Sequence, residues 1–143
     1  HLLLVGEGPL VERCKKIAQD LDVDNRVHFM GFRNDVARIL KTSEIIIQSS
    51  NWEGFGLAAV EGMAAGKPVI VSDVEGLKGV VEGAGVLFSK GDSNDLSIKI
   101  NKLLTDNKYY NDTVIKCLAR ASLYDINQMV NLYMEIYSDV YCK

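Results

Sequence analysis

The sequence predicts an α/β fold, a parallel sheet carrying helices on both faces. Three observations predict it. Short, mainly apolar runs at Leu2–Val5, Val27–Met30, Ile45–Ile47, Val69–Val71 and Val86–Phe88 lack the alternation of half-exposed strands and read as strands buried on both faces. Stretches with apolar residues at helical spacing separate them, and such alternation implies right-handed crossovers between parallel strands. Glycine- and polar-rich segments follow four strand ends, at Gly6–Pro9, Gly31–Asp35, Ser49–Leu57 and Ser72–Gly79. In a sheet of this kind the ligand crevice lies beyond the carboxyl ends of the strands, so the same segments are the candidate site.

Each element has its own signal. Leu2–Val5 is expected to be a buried parallel strand, with Pro9 in the first turn of the helix that follows. Leu10, Cys14, Ile17, Ala18 and Leu21 mark the apolar face of that helix. A second strand ends at Gly31, and Asp35–Lys41 reads as a short helix. The third strand closes at Gln48-Ser49-Ser50. Another helix runs up to Gly66 and Pro68, glycine just past its end and proline soon after. Residues 74–80 read as a loop before the fifth strand. Asp92 caps a helix with Leu96, Ile100, Leu103 and Leu104 on one face. Val114, Cys117, Leu118 and Ala121 mark the next helix, and Asp125 with Gln128 resembles a capping box for the last.

The chain has 143 residues, 48% hydrophobic and 24% charged, enough for one ordinary globular domain. Its net charge of −3 argues against nucleic acid as the main partner. Arg13, Lys15 and Lys16 read as a solvated helix face. Cys14, Cys117 and Cys142 are far apart and form no metal-ligand pair, which fits reduced thiols and a cytoplasmic compartment. No apolar run approaches the roughly 18 residues of a membrane span, and no signal peptide is read. The opening directly on a strand is read as that of a piece of a longer protein.

The densest chemistry lies between Asn51 and Val71. Gly54-Phe55-Gly56 permits close backbone approach, and the amides that open the following helix, with its dipole behind them, offer an anion site suited to a diphosphate. The plainer reading is a loop-to-helix turn. Glu53 could bind sugar hydroxyls or balance positive charge at an anomeric carbon, or be a solvated loop carboxylate. Glu61 could accept from two ribose hydroxyls, or be an exposed helix residue paired with Lys67 or Lys78. Gly6-Glu7-Gly8 is a turn where the protein backbone could closely approach a nucleotide, or turn geometry alone, and Phe32-Arg33-Asn34 could meet a base, or Arg33 be a surface cation. Trp52 is expected to pack its loop onto the core, His28 to pack in its strand, and Tyr133, Tyr137 and Tyr141 to be core or interface residues. One histidine without a partner makes no triad, and no tight acidic cluster for a metal is read.

Four stations in order resemble one family. They are Leu3-Leu4-Val5-Gly6-Glu7-Gly8-Pro9, then Arg26-Val27-His28-Phe29-Met30-Gly31-Phe32. Ser50-Asn51-Trp52-Glu53-Gly54-Phe55-Gly56-Leu57 with Glu61-Gly62-Met63-Ala64-Ala65-Gly66-Lys67-Pro68-Val69-Ile70 follows, and the closing helix around Tyr133 to Tyr137 is last. Together they are similar to the C-terminal, donor-binding domain of a group 1 (family 4, retaining) glycosyltransferase of the GT-B fold, a Rossmann-like architecture. The resemblance implies that Glu53 contacts the donor sugar and supports the transition state. It implies that Gly54, Phe55, Gly56 and Leu57 serve sugar and diphosphate, that Glu61 holds the ribose, and that Gly6, Gly8, Phe32 and Arg33 lie near the nucleotide. The implied reaction is hexosyl transfer from a UDP- or GDP-sugar with retention, without an essential metal or further cofactor, in glycan or surface polysaccharide synthesis. It also implies that residues 1–143 lack the domain's first strand-helix unit and the N-terminal acceptor domain, through which the protein would associate with the inner face of a membrane. Alone, the chain is expected to be inactive. Gly79 stands where the family often has glutamate. A nucleotide-sugar epimerase of the same architecture, or a non-catalytic nucleotide-binding or interaction module, are the alternatives.

Overall fold

The computed structural model describes residues 1–141, so Cys142 lies outside the described residues. The chain divides into two compact units, His1–Val36 and Ala37–Lys143.

In the first unit β1 (Leu2–Val5) is followed by α1 (Val11–Asp20), a short 3-10 turn at Asp24–Arg26, and β2 (Val27–Gly31). β1 and β2 are parallel, with Leu2 opposite Val27 and Leu4 opposite Phe29 before a register slip sets Val5 opposite Gly31. The slip brings two turns together: Gly6 N donates to Gly31 O at 2.8 Å. Four expectations fail here. β1 is not buried, since its four residues are 36–45% exposed. Its one ladder partner is β2, and α1 contributes a single buried residue, Ala18. Leu10, Ile17 and Leu21 of the expected apolar face are exposed. The helix opens at Val11, so Pro9 precedes it rather than occupying its first turn. His28, expected to pack in its strand, is exposed and stacks on His1 with ring centroids 5.1 Å apart.

α2 (Val36–Thr42) opens at the boundary, and the second unit continues with β3 (Ile46–Gln48), α3 (Leu57–Ala64), β4 (Val69–Ser72), α4 (Glu75–Val81) and β5 (Val86–Phe88). Three helices close the chain: α5 (Ser93–Thr105), α6 (Asn107–Ser122) and α7 (Ile126–Tyr141). The sheet order is β3-β4-β5, both ladders parallel. β4 is central and every residue in it is buried. Val69 and Val71 pack with Ala59 and Met63 of α3, Leu77 and Val80 of α4 and Cys117 of α6. Ile70 points to the opposite face, against Val86, Phe88 and Leu103, with Leu96 and Ile100 beside them. Helices therefore cover both faces of this sheet, as expected.

Asp92 caps α5 as expected, its carboxylate accepting from Asn94 N at 2.9 Å and Asp95 N at 3.0 Å. Leu104 is exposed, so the buried stripe of α5 excludes it. The segment 74–80, expected to be a loop, is most of α4. Its two glycines hide a helical stripe: Leu77, Val80 and Val81 are all buried. Tyr133, Tyr137 and Tyr141 of α7 are exposed, so they are not core residues of this chain. Among the described residues no helix is long and apolar enough to cross a membrane.

Candidate functional site

The residues singled out in the sequence fall into both units. In the second unit they gather on the turn between β3 and α3. Gly56 is the N-cap of α3 and adopts φ 87°, ψ 51°, a left-handed conformation that a side chain resists. A Cβ there would also collide with Leu77 Cδ2 of α4. No side chain caps α3. The amides of Leu57 and Ala58, in its first turn, have no partner four residues back in the helix and stay available to an anion.

Glu53 sits beside this helix start with its carboxylate held on both oxygens. Oε2 accepts from Gln48 Nε2 at 2.7 Å and from Ser50 Oγ at 3.4 Å, and Oε1 accepts from Gly54 N at 3.2 Å. Ser50 is anchored in turn, its carbonyl accepting from the buried hydroxyl of Ser72 at 2.6 Å. β3 and β4 thus place two polar side chains under one carboxylate. Among the described residues Gln48 Oε1 is buried without a hydrogen-bond partner.

The turn is anchored by Phe55, not by Trp52. Trp52 is 82% exposed, which overturns its expected packing onto the core. Phe55 meets Tyr124 edge to face, with centroids 5.6 Å apart. Glu61 projects to solvent on α3. Lys78, one of its expected partners, pairs instead with Asp73 at 3.5 Å.

In the first unit the two predicted turns meet. Glu7 Oε1 accepts from Phe32 N at 3.4 Å, and Gly6 bonds to Gly31. Gly8 accepts from Val11 N at 3.3 Å, which sets the start of α1. Phe32 is exposed. Arg33 donates through Nε and Nη2 to the two oxygens of Asp35, each at 2.8 Å. That hydrogen-bonded carboxylate holds the guanidinium proton more tightly than usual. Any ligand contact by Arg33 must compete with Asp35.

Sequence reading missed Gln48, Gly76, Arg120 and Tyr124. A polar residue closing an apolar run five positions before Glu53 was the available signal for Gln48. Nothing local marks the other three, whose partners lie far along the chain. Among the described residues no three His, Cys, Asp or Glu side chains gather as a metal-ligand set.

Comparison with known proteins supplies the family. The profile described as Glycosyl transferases group 1 matches residues 1–116. N-acetyl-alpha-D-glucosaminyl L-malate synthase of Bacillus anthracis is 33% identical over 97% of this chain and 37% of its own length. The UDP-Gal:alpha-D-GlcNAc-diphosphoundecaprenol alpha-1,3-galactosyltransferase of Escherichia coli is 32% identical over 96% of this chain and 36% of its own. Among solved structures, Anabaena HepE in complex with UDP-glucose superposes with a TM-score of 0.88 at 29% identity, over 96% of this chain and 40% of HepE. The chain thus spans well under half the length of the proteins it matches. With matching sequence through most of its length and a matching fold, it belongs to the group 1 glycosyltransferase family.

Proposed function

We propose that this chain is the donor-binding part of a retaining glycosyltransferase that moves a sugar from a nucleoside-diphosphate sugar to an acceptor. One observation carries the reading: a carboxylate fixed on both oxygens, Glu53, stands beside a helix start whose amides no side chain caps. In transfer, the bond from the anomeric carbon to the diphosphate oxygen breaks and its electron pair leaves with the diphosphate, while an acceptor hydroxyl oxygen bonds to that carbon and its proton passes to the departing diphosphate. Negative charge grows on the leaving group and positive charge on the anomeric carbon. The amides of Leu57 and Ala58 stabilise the first, aided by the helix dipole. Glu53 balances the second, preorganised by Gln48 and therefore without reorientation as the charge develops. Glu61 holds the ribose hydroxyls, and Gly54, Phe55 and Gly56 shape the sugar pocket.

UDP is the nucleotide we favour over GDP, because the HepE structures hold UDP and UDP-glucose. Acceptor binding belongs to a further domain, in keeping with the 37% of the Bacillus anthracis relative that the chain covers. The cytoplasmic face of a membrane is the proposed setting, supported by the diphosphoundecaprenol-linked sugar in the name of the Escherichia coli relative.

The test uses the full-length protein with UDP-glucose. Glu53→Gln is expected to lower kcat by about 100-fold or more while UDP affinity stays within about threefold of wild type, because the amides still hold the diphosphate. Glu61→Ala is expected to weaken UDP binding about tenfold, the loss of a charge-assisted contact. Unchanged turnover in Glu53→Gln would remove Glu53 from the chemistry.

A further inference from the structure

We infer that Arg120 and Tyr124 are positioning residues for the turn at residues 53–57, acting from the end of α6 through the short helix α4. The inference rests on the function proposed above for that turn. α4 has seven residues, and its first turn is pressed against Glu53. A Cβ at Gly76 would collide with Glu53 O, and Leu77 occupies the space a Cβ at Gly56 would need. A shift of α4 toward the turn therefore pushes on the backbone of Glu53.

The far end of α4 is held by the pair. Helix ends leave carbonyls without partners. Arg120 Nε donates to Val80 O at 2.9 Å and Nη2 to Gly79 O at 2.6 Å. Tyr124 OH donates to Val80 O at 3.2 Å. A planar guanidinium with two parallel donors fixes direction as well as distance, which a lysine does not. Arg120 also lies over the Tyr124 ring, 5.6 Å from its centroid. The same ring reaches the turn itself, for Phe55 packs on Tyr124 at an interplanar angle of 84°.

The contacts therefore close a circuit. Glu53 rests on Gly76, Val80 lies in the last turn of α4, Val80 is held by Arg120 and Tyr124, and Tyr124 packs on Phe55, two residues from Glu53. The start and the middle of the turn are tied to one bracket. The family profile stops at residue 116, so the bracket lies outside the matched segment and is no part of the signature.

Arg120→Ala, Tyr124→Ala and Tyr124→Phe in the full-length protein test this, read by hydrogen exchange of peptides covering residues 53–57 and 75–81 and by steady-state turnover of UDP-glucose. Arg120→Ala and Tyr124→Ala are expected to speed exchange in both peptides, leave peptides of α5 unchanged, and lower kcat about tenfold, since small misplacement of a reacting group is costly. The acceptor KM should not move. Tyr124→Phe keeps the ring on Phe55 but frees Val80 O from the hydroxyl, so it should speed exchange and lower kcat less than Tyr124→Ala does. Wild-type exchange at 53–57 in both alanine variants would overturn the bracket. Faster exchange with unchanged kcat would overturn its role in positioning, as would a uniform rise in exchange across the second unit. The exchange arm needs no donor, so it stands even if Glu53→Gln shows the proposed function to be wrong.

Discussion

Two strands of similar sequence behave in opposite ways. Leu2-Leu3-Leu4-Val5 and Val69-Ile70-Val71-Ser72 are both short and apolar, and both pair in parallel. Yet β4 is no more than 1% exposed at any residue, while no residue of β1 falls below 36%. β4 has a ladder on each edge, α3, α4 and α6 on one face and α5 on the other. β1 has one ladder and a helix that buries only Ala18. An apolar run predicts that a strand forms; whether it is covered depends on elements elsewhere in the chain. Buried apolar surface is worth about 25 cal/mol per Å², so the second unit carries most of the hydrophobic stabilisation.

Truncating the two strands measures that contrast most directly. Ile70→Ala is expected to cost about 2–5 kcal/mol, because it opens a cavity between two packed layers. Leu4→Ala should cost less than about 1.5 kcal/mol, because its side chain is already partly solvated. Denaturant unfolding of the two variants checks both, and equal losses would break the comparison.

The next effect separates two glycines on α4. Gly76→Ala places a methyl group against Glu53 O and should destabilise by about 1–3 kcal/mol, with weaker UDP binding as the turn moves. At Gly79 nothing stands within 4 Å of a Cβ, so Gly79→Ala should be neutral or stabilise by up to about 1 kcal/mol through helix propensity. Thermal unfolding of the pair distinguishes a required glycine from a permitted one.

Helix caps differ between the units as well. Asp92→Ala should cost about 1 kcal/mol by removing the acceptor for Asn94 N and Asp95 N. α1 has no side-chain cap to lose. Urea titration reads the difference.

The smallest effect concerns the thiols. Cys14 is exposed and Cys117 is buried. Burial pushes the Cys117 thiol up, so the folded state keeps its proton where the unfolded chain has released it. Its contribution to stability is therefore complete below the ordinary thiol pKa of about 8.5 and declines as pH rises above it. With Cys142 replaced by serine throughout, a thiol reagent should label Cys14 at once and Cys117 only on unfolding. Cys117→Ala should flatten the alkaline decline in stability.

Much of this arrangement is legible in the residues alone. Gly56 and Gly66 bracket α3, Asp92 announces α5, and Glu53 with Glu61 marks the candidate site, because each depends on contacts within a few positions. α4 is not legible, since Gly76, needed for close approach to Glu53, and Gly79, which is not, together imitate a loop. Gln48 is half legible as a polar residue ending an apolar strand, but its grip on Glu53 needs the turn to fold back. Arg120 and Tyr124 lie forty or more residues from Val80, and no local pattern points there.

The sequence by itself determined the strands, every helix but α4, the parallel pairing and the family, because backbone preference and apolar period are local properties. Tertiary structure alone decided which apolar strand is covered, which aromatic ring anchors the turn and which side chains hold the Glu53 carboxylate. Those are properties of surfaces meeting across long stretches of chain, and burial and hydrogen-bond partnership are settled only when both partners are in place.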